Sequence, residues 1–306
     1  MRIIVTGATG LIGAAVVRSL RDRGDQVVAL SRDSDRARQK LGPEVECHSW
    51  ADPKVEPPPA AALEDADAVI HLLGEPIAQR WTREAKREIL DSRVLGTRSL
   101  VAGIRALPAS ARPSVLVSQS ATGYYGPRGD EPVDESAAAG DDFLAVVSTA
   151  WEREASAAHD LLRLAIPRMG VVLADGGGAL AKMLPPFRLG VGGPVAGGRQ
   201  YVPWIHLDDA VGALLRCADD GQASGPVNLT APHPVTNAEL SKALGRVLHR
   251  PAVAPVPAAA VKLLYGEMAA TVLTGQRVVP TRLVELGYEF KFPEVEPALR
   301  DVLERP

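Results

Sequence analysis

Two groups of residues in this 306-residue chain have types and spacing suited to chemistry. The first is Thr6-Gly7-Ala8-Thr9-Gly10-Leu11-Ile12-Gly13, with glycines at every third position. Glycines let a backbone turn tightly and approach a pyrophosphate, and a helix starting at Leu11 would add free N–H groups and a positive dipole end. The second is the run of hydroxyls Ser118, Ser120, Tyr124 and Tyr125, which can hold or protonate a substrate oxygen. Turn serines also satisfy backbone groups, so the residues alone leave both roles open for Ser118 and Ser120.

The elements around these groups decide between readings. The spacing G-x-x-G-x-x-G differs from the usual G-x-G-x-x-G dinucleotide fingerprint, and glycines alone also mark ordinary turns. Here, however, the glycines follow a β-branched run, Ile3–Val5. They open an amphipathic helix with Ile12, Val16 and Leu20 on its apolar side, and a second strand, Gln26–Leu30, comes next. Strand, glycine turn, helix and strand together predict a dinucleotide cradle. At the tip of the second strand, a carboxylate would hold a ribose 2′-hydroxyl. The chain carries Ser31 and Arg32 there, which suit a 2′-phosphate, while Asp33 lies past the tip and starts the next turn. NADP(H) is the expected cofactor.

Further strands are expected over 45–50, 67–74, 115–120, 161–172 and 225–230, with a long helix over 82–107. Alternating strands and helices predict an α/β, Rossmann-type doubly wound parallel sheet with a smaller mixed C-terminal lobe. The expected division is 1–174 plus 205–230 for the cofactor domain, and 175–204 plus 231–306 for the lobe. Thr236 and Glu239 form a capping box that opens a helix to Leu248, and Asp208 is an expected N-cap. His71, His206 and Asp208 read as structural residues, and no metal spacing occurs.

The opening T-G-A-T-G-L-I-G resembles the extended short-chain dehydrogenase/reductase superfamily. Later motifs resemble its atypical SDR39U1-like epimerase family, part of the NAD-dependent epimerase/dehydratase superfamily with a small C-terminal domain. Those motifs are Asp91-Ser92-Arg93, Phe143-Leu144 with Trp151-Glu152, the run Gly176 to Gly190, and Trp204-Ile205-His206. The resemblance implies cofactor contacts by Gly7, Thr9, Gly10, Leu11, Ile12, Gly13, Ser31, Arg32, Leu72, Leu73, Gly74, Glu88, Arg93, Ser118 and Val172. Glu88 and Arg93 lie five apart, roughly 140° around a helix, so they need not pair; on spacing alone a surface ion network is an equal reading. The superfamily's catalytic Ser or Thr aligns with Ser120. Its Tyr-x-x-x-Lys pair falls on Leu144 and Ser148, and no Tyr-x-x-x-Lys occurs anywhere in the chain. The usual proton relay therefore does not carry over, and Ser120, Tyr124 and Tyr125 remain the candidate catalytic groups. Lys182, Arg188, Arg199 and Gln200 face either an anionic substrate or solvent.

Two readings of function are open. One is an oxidoreductase or epimerase-like enzyme acting on a small polar substrate. The other is a non-catalytic NADP(H)-binding sensor or scaffold. A formal net charge of −3 argues against general affinity for nucleic acid or anionic membranes. Hydrophobic residues make up 46% and charged residues 23%, as in a soluble globular protein. The N-terminal apolar run is broken by glycines and is not read as a leader. Cys47 and Cys217 read as small buried hydrophobes in a reducing compartment, and cytoplasmic placement as a monomer or homodimer is expected.

Overall fold

The computed structural model describes residues 1–304. Its strands are β1 (Arg2–Thr6), β2 (Gln26–Ser31), β3 (Glu46–Ser49), β4 (Ala68–His71), β5 (Val115–Ser118), β6 (Ser120–Ala121), β7 (Pro132–Val133), β8 (Arg163–Met169), β9 (Val171–Leu173), β10 (Tyr201–Val202), β11 (Trp204–His206), β12 (Gly225–Leu229), β13 (Val235–Thr236) and β14 (Arg277–Val278). The central sheet runs β3-β2-β1-β4-β5-β8-β12, with β6 added beside β8. Every pairing in it is parallel. From β1 the chain winds outward to β3, then returns to β4 on the other side of β1. That reversal opens a crevice at the carboxyl ends of β1 and β4.

Helices α1 (Leu11–Asp22), α2 (Ser34–Leu41), α3 (Ala60–Leu63), α4 (Arg83–Ala106), α5 (Phe143–Ser156) and α7 (Leu207–Asp219) cover both faces, and α6 (Gly178–Arg188) follows β9. The remaining helices are α8 (Asn237–Val247), α9 (Ala258–Tyr265), α10 (Ala270–Leu273), α11 (Thr281–Glu285) and α12 (Val295–Glu304). Because strand side chains alternate, Ile3 and Val5 of β1 pack with Val16, Leu20 and Leu214 on one face. Ile4 packs with Leu100 and Ile104 on the other. Thr82 caps α4 by accepting from the Ala85 N–H at 3.2 Å, and Asp142 caps α5 in the same way from Ala145 at 2.9 Å. Among the described residues, no helix is long and apolar enough to cross a membrane.

The stretches on either side of β12 share a separate apolar cluster. Leu180, Leu184 and Phe187 of α6 meet Leu240 and Leu244 of α8 and Leu299 and Val302 of α12. Leu283 and Leu286 instead join the core of the main sheet. The run after Leu173 is rich in glycine, a poor helix former, yet residues Gly178–Arg188 are helical despite Pro185 and Pro186. The i, i+4, i+7 burial of Leu180, Leu184 and Phe187 outweighs the poor local propensity. The Thr236–Glu239 capping box is formed. Asp208, however, is not an N-cap. His206 holds that position, its Nδ1 accepting from the Asp208 N–H at 3.0 Å, because the helix begins at Leu207. His206 Nε2 lies 3.1 Å from Asp301 of α12, and Lys291 pairs with Asp208 at 2.7 Å, so this cluster fastens the last helix to α7.

Candidate active site

The glycine turn is shaped by close backbone approaches. Gly7 has φ +64°, and a Cβ there would sit 2.6 Å from the Leu72 carbonyl oxygen. A Cβ on Gly13 would run into the Gly7 carbonyl. Gly10 is the N-cap of α1 and supplies no side-chain cap, so the first N–H groups of Leu11, Ile12 and Gly13 face the crevice without a side-chain acceptor. A phosphate suits that place, where any larger residue at Gly7 or Gly13 would not. The residues present thus fit a dinucleotide pyrophosphate.

A buried polar relay holds this turn against its neighbours. Thr6, His71 and Ser118 lie side by side at the ends of β1, β4 and β5. His71 is wholly buried, its Nδ1 2.8 Å from Thr6 Oγ1 and its Nε2 3.0 Å from Thr97 Oγ1. The Leu72 N–H donates to Thr6 Oγ1 at 3.1 Å, and the Trp151 indole N–H donates to Thr97 Oγ1 at 2.8 Å. Burial pushes the His71 pKa down to about 3, so the ring is neutral. His71 is structural, as its sequence context predicts. Ser118 is also buried, but its Oγ has no hydrogen-bond partner among the described residues. An orphaned hydroxyl at the crevice is what a cofactor contact there requires.

The other expected cofactor residues distribute around this edge. Ser31 ends β2, with Arg32 exposed beyond it, and Asp33 caps α2 by accepting from the Arg36 N–H at 3.0 Å. Leu73 packs near Gly96, and Gly74 near the Arg93 guanidinium. Glu75 is gripped twice: its N–H donates to Ser92 Oγ at 3.0 Å, and its carbonyl accepts from Arg93 at 2.9 Å. Arg93 also donates to Ile89 O at 3.0 Å, and its burial lowers its pKa to about 10. Glu88 pairs with Lys54 at 2.9 Å on the surface, so Glu88 and Arg93 do not pair with one another. Val172 lies in β9 beside Ile205, and Gly177 and Gly178, where α6 begins, lie against the Leu11 side chain.

The candidate catalytic hydroxyls fall into two kinds. Ser120 and Tyr125 are fully buried. Ser120 donates to Glu152 Oε1 at 2.6 Å, and Tyr125 donates to Asn228 Oδ1 at 2.6 Å. Between them lies Arg168, 3% exposed, which holds both Glu152 oxygens at 2.9 Å and donates to the Tyr125 oxygen at 3.0 Å. Burial opposes the Arg168 charge, but Glu152 more than offsets it and raises the pKa above its ordinary value. Burial likewise pushes the Tyr125 phenol up to about 12, with Arg168 pulling the other way.

Tyr124 differs from both. It is half-buried, stacked on the Arg168 guanidinium at 3.5 Å and edge-on to Tyr125 at 5.4 Å. The ring is held, and the hydroxyl has no protein partner among the described residues. Leu144 and Ser148 occupy the places of the missing tyrosine and lysine. Leu144 packs near Gly123, the residue before Tyr124, and against a cluster of Trp81, Val147 and Met268. Lys182 reaches across to the Ala78 carbonyl, tying α6 to the loop after β4. Gln200 is engaged with the Val195 and Val272 carbonyls. Arg168, Glu152 and Asn228 are not legible as a unit in the sequence, since they come from three separate elements with no common spacing.

Comparison with known proteins agrees with this layout. Residues 3–230 match the NAD dependent epimerase/dehydratase family, and residues 256–302 match a domain of unknown function, DUF1731. The epimerase family protein SDR39U1 homolog, chloroplastic, of Arabidopsis thaliana is 41% identical over 311 residues, covering 99% of this chain and 87% of its own. The human epimerase family protein SDR39U1 is 37% identical over 308 residues, covering 99% of this chain and all of its own, 100%. A crystal structure of the human protein (isoform 2) with NADPH superposes with a TM-score of 0.89 at 36% identity, covering 100% of both chains. A nucleoside-diphosphate sugar epimerase from Corynebacterium glutamicum gives a TM-score of 0.77 at 32% identity, over 99% of this chain and 58% of the other.

Proposed function

Since the chain belongs to the NAD dependent epimerase/dehydratase family, and within it to the SDR39U1 epimerase family proteins, we propose that it binds NADP(H) and acts as an oxidoreductase or epimerase-like enzyme on a small polar substrate. The observation that carries the cofactor reading is the Gly7–Gly13 turn, packed on the Leu72 carbonyl with the start of α1 left open. The NADPH-bound human relative supports it. Ser31 and Arg32 hold the 2′-phosphate, and Ser118 and the backbone at Leu72, Leu73, Gly74 and Val172 line the rest of the crevice. When bound, the nicotinamide supplies hydride exchange with the substrate carbon. The protein orients the substrate and handles its proton.

Tyr124 is the group that meets the substrate oxygen. Among the described residues its hydroxyl is the one of the three candidates without a protein partner, and its ring is pinned from below by Arg168. Ser120 and Tyr125 act behind it by holding Glu152 and Arg168 in place. The enzyme works as a monomer or homodimer in the cytoplasm, where its two buried free thiols suit a reducing environment. A screen of aldehydes, ketones, quinones and nucleotide-sugars should find NADPH-dependent turnover that collapses in Tyr124→Phe while NADPH binding persists. Turnover unchanged in that variant removes the role.

A second reading is favoured by a specific observation. Leu144 and Ser148 stand where the relay would be, and two of the three hydroxyls are consumed in a buried network. A sensor or scaffold that binds NADP(H) without turnover needs nothing more. Saturable NADPH binding with no consumption across the screen selects it.

A further inference from the structure

We propose that Lys40 is a second cation for the 2′-phosphate of NADP(H), and that it sets the preference over NAD(H) together with Arg32. The proposal rests on the cofactor reading above and adds a residue to it.

Helix α2 starts just past the tip of β2 and folds back beside the glycine turn. From its last turn the Lys40 ammonium reaches across to the Thr9 carbonyl, donating at 2.8 Å. Pairing of β1 with β2 sets Thr6 beside Leu30, so the glycine turn and the Ser31–Arg32 tip leave adjacent strands at the same edge. Lys40 therefore sets a cation on the glycine turn, at the edge where a 2′-phosphate is read in this fold. Arg32, Arg36 and Lys40 recur every fourth residue, and Arg36 and Lys40 share one face of α2.

The charges around Lys40 are arranged for an anion. Lys40 makes no ion pair among the described residues; its one acceptor is a carbonyl, which leaves two of its three N–H donors to spare. The nearby carboxylates are turned elsewhere. Asp33 accepts from the Arg36 N–H at 3.0 Å, and Asp35 lies 3.5 Å from Arg38. A lysine serving only to prop the turn would do the same for either cofactor, whereas a phosphate cation distinguishes them.

Binding, not turnover, tests this. Titrate wild type, Lys40→Met and Lys40→Arg with NADPH and NADH by fluorescence, and with adenosine 2′,5′-bisphosphate and 5′-AMP by calorimetry. Lys40→Met should weaken NADPH and the bisphosphate about tenfold, the worth of one charge-assisted contact, and leave NADH and 5′-AMP within about twofold. Lys40→Arg should keep most of the preference. Equal weakening of all four ligands, or no weakening of any, overturns the role of Lys40 while leaving the cofactor reading intact if wild type prefers NADPH. A wild type that binds NADPH no better than NADH overturns both.

Discussion

Replacing Arg168 with Met removes a buried charge but keeps most of the side chain's length. Glu152 would keep the Ser120 hydroxyl, at 2.6 Å, and lose two charged contacts of 2.9 Å each. Its side chain is only 12% exposed, so water replaces them only in part. Tyr125 would lose its donor, and Tyr124 the guanidinium under its ring. Breaking a buried pair from one side costs about 3–5 kcal/mol, because a charge is left uncompensated. Removing both charges, in Arg168→Met with Glu152→Met, should recover most of that loss, since an apolar replacement of a buried pair is often near neutral. Urea unfolding monitored by circular dichroism, on wild type, each single variant and the double, reads these differences directly. A loss below about 1 kcal/mol in Arg168→Met, or a double variant worse than the single, would refute the claim that this pair is a buried, mutually compensated unit.

Single contacts give further consequences. His71 titrates at about 3 when folded, against 6.5 for the free ring, so the unfolded chain takes up the extra proton. Stability should therefore fall as pH drops below 6.5, by up to about 1.4 kcal/mol per pH unit down to about pH 3. Unfolding free energies at pH 7 and pH 5 should differ more in wild type than in His71→Gln; an equal difference contradicts the neutral buried ring. Arg32→Ala should weaken NADPH by about 1.5–3 kcal/mol and NADH hardly at all, measured by fluorescence titration; equal loss for both would show the strand tip misread. Thr236→Ala breaks the capping box of α8 and should cost about 1 kcal/mol in urea unfolding.

Local signals in this chain are read well by sequence, and distant pairings are not. The Gly7–Gly13 turn, the cap at Thr236 and the strand tip at Ser31–Arg32 are short-range patterns whose physics is complete within a few residues. The parallel, doubly wound sheet is legible because strands and helices alternate along the chain. His71 is legible as structural, although Thr97, its partner, is 26 residues away. The Ser120–Glu152–Arg168–Tyr125–Asn228 network is not legible, because its members share no spacing. Without it, Ser120, Tyr124 and Tyr125 look equivalent in sequence, whereas burial separates Tyr124 from the other two. The α6 helix is hidden for a related reason: glycines and two prolines mask the Leu180, Leu184, Phe187 spacing that tertiary packing uses. At Asp208 the residue type suggests a cap, but the helix starts after His206.

The central claim is that the glycine turn on β1 holds NADP(H), whatever chemistry is built on it. Titrating wild type and Gly13→Ala with NADPH, monitored by nicotinamide fluorescence and checked for retained fold by circular dichroism, tests it most directly. A Cβ at position 13 would collide with the Gly7 carbonyl and distort the open start of α1. The account predicts saturable NADPH binding to wild type and its loss in a folded Gly13→Ala. No binding to wild type, or unchanged binding to the variant, would contradict it.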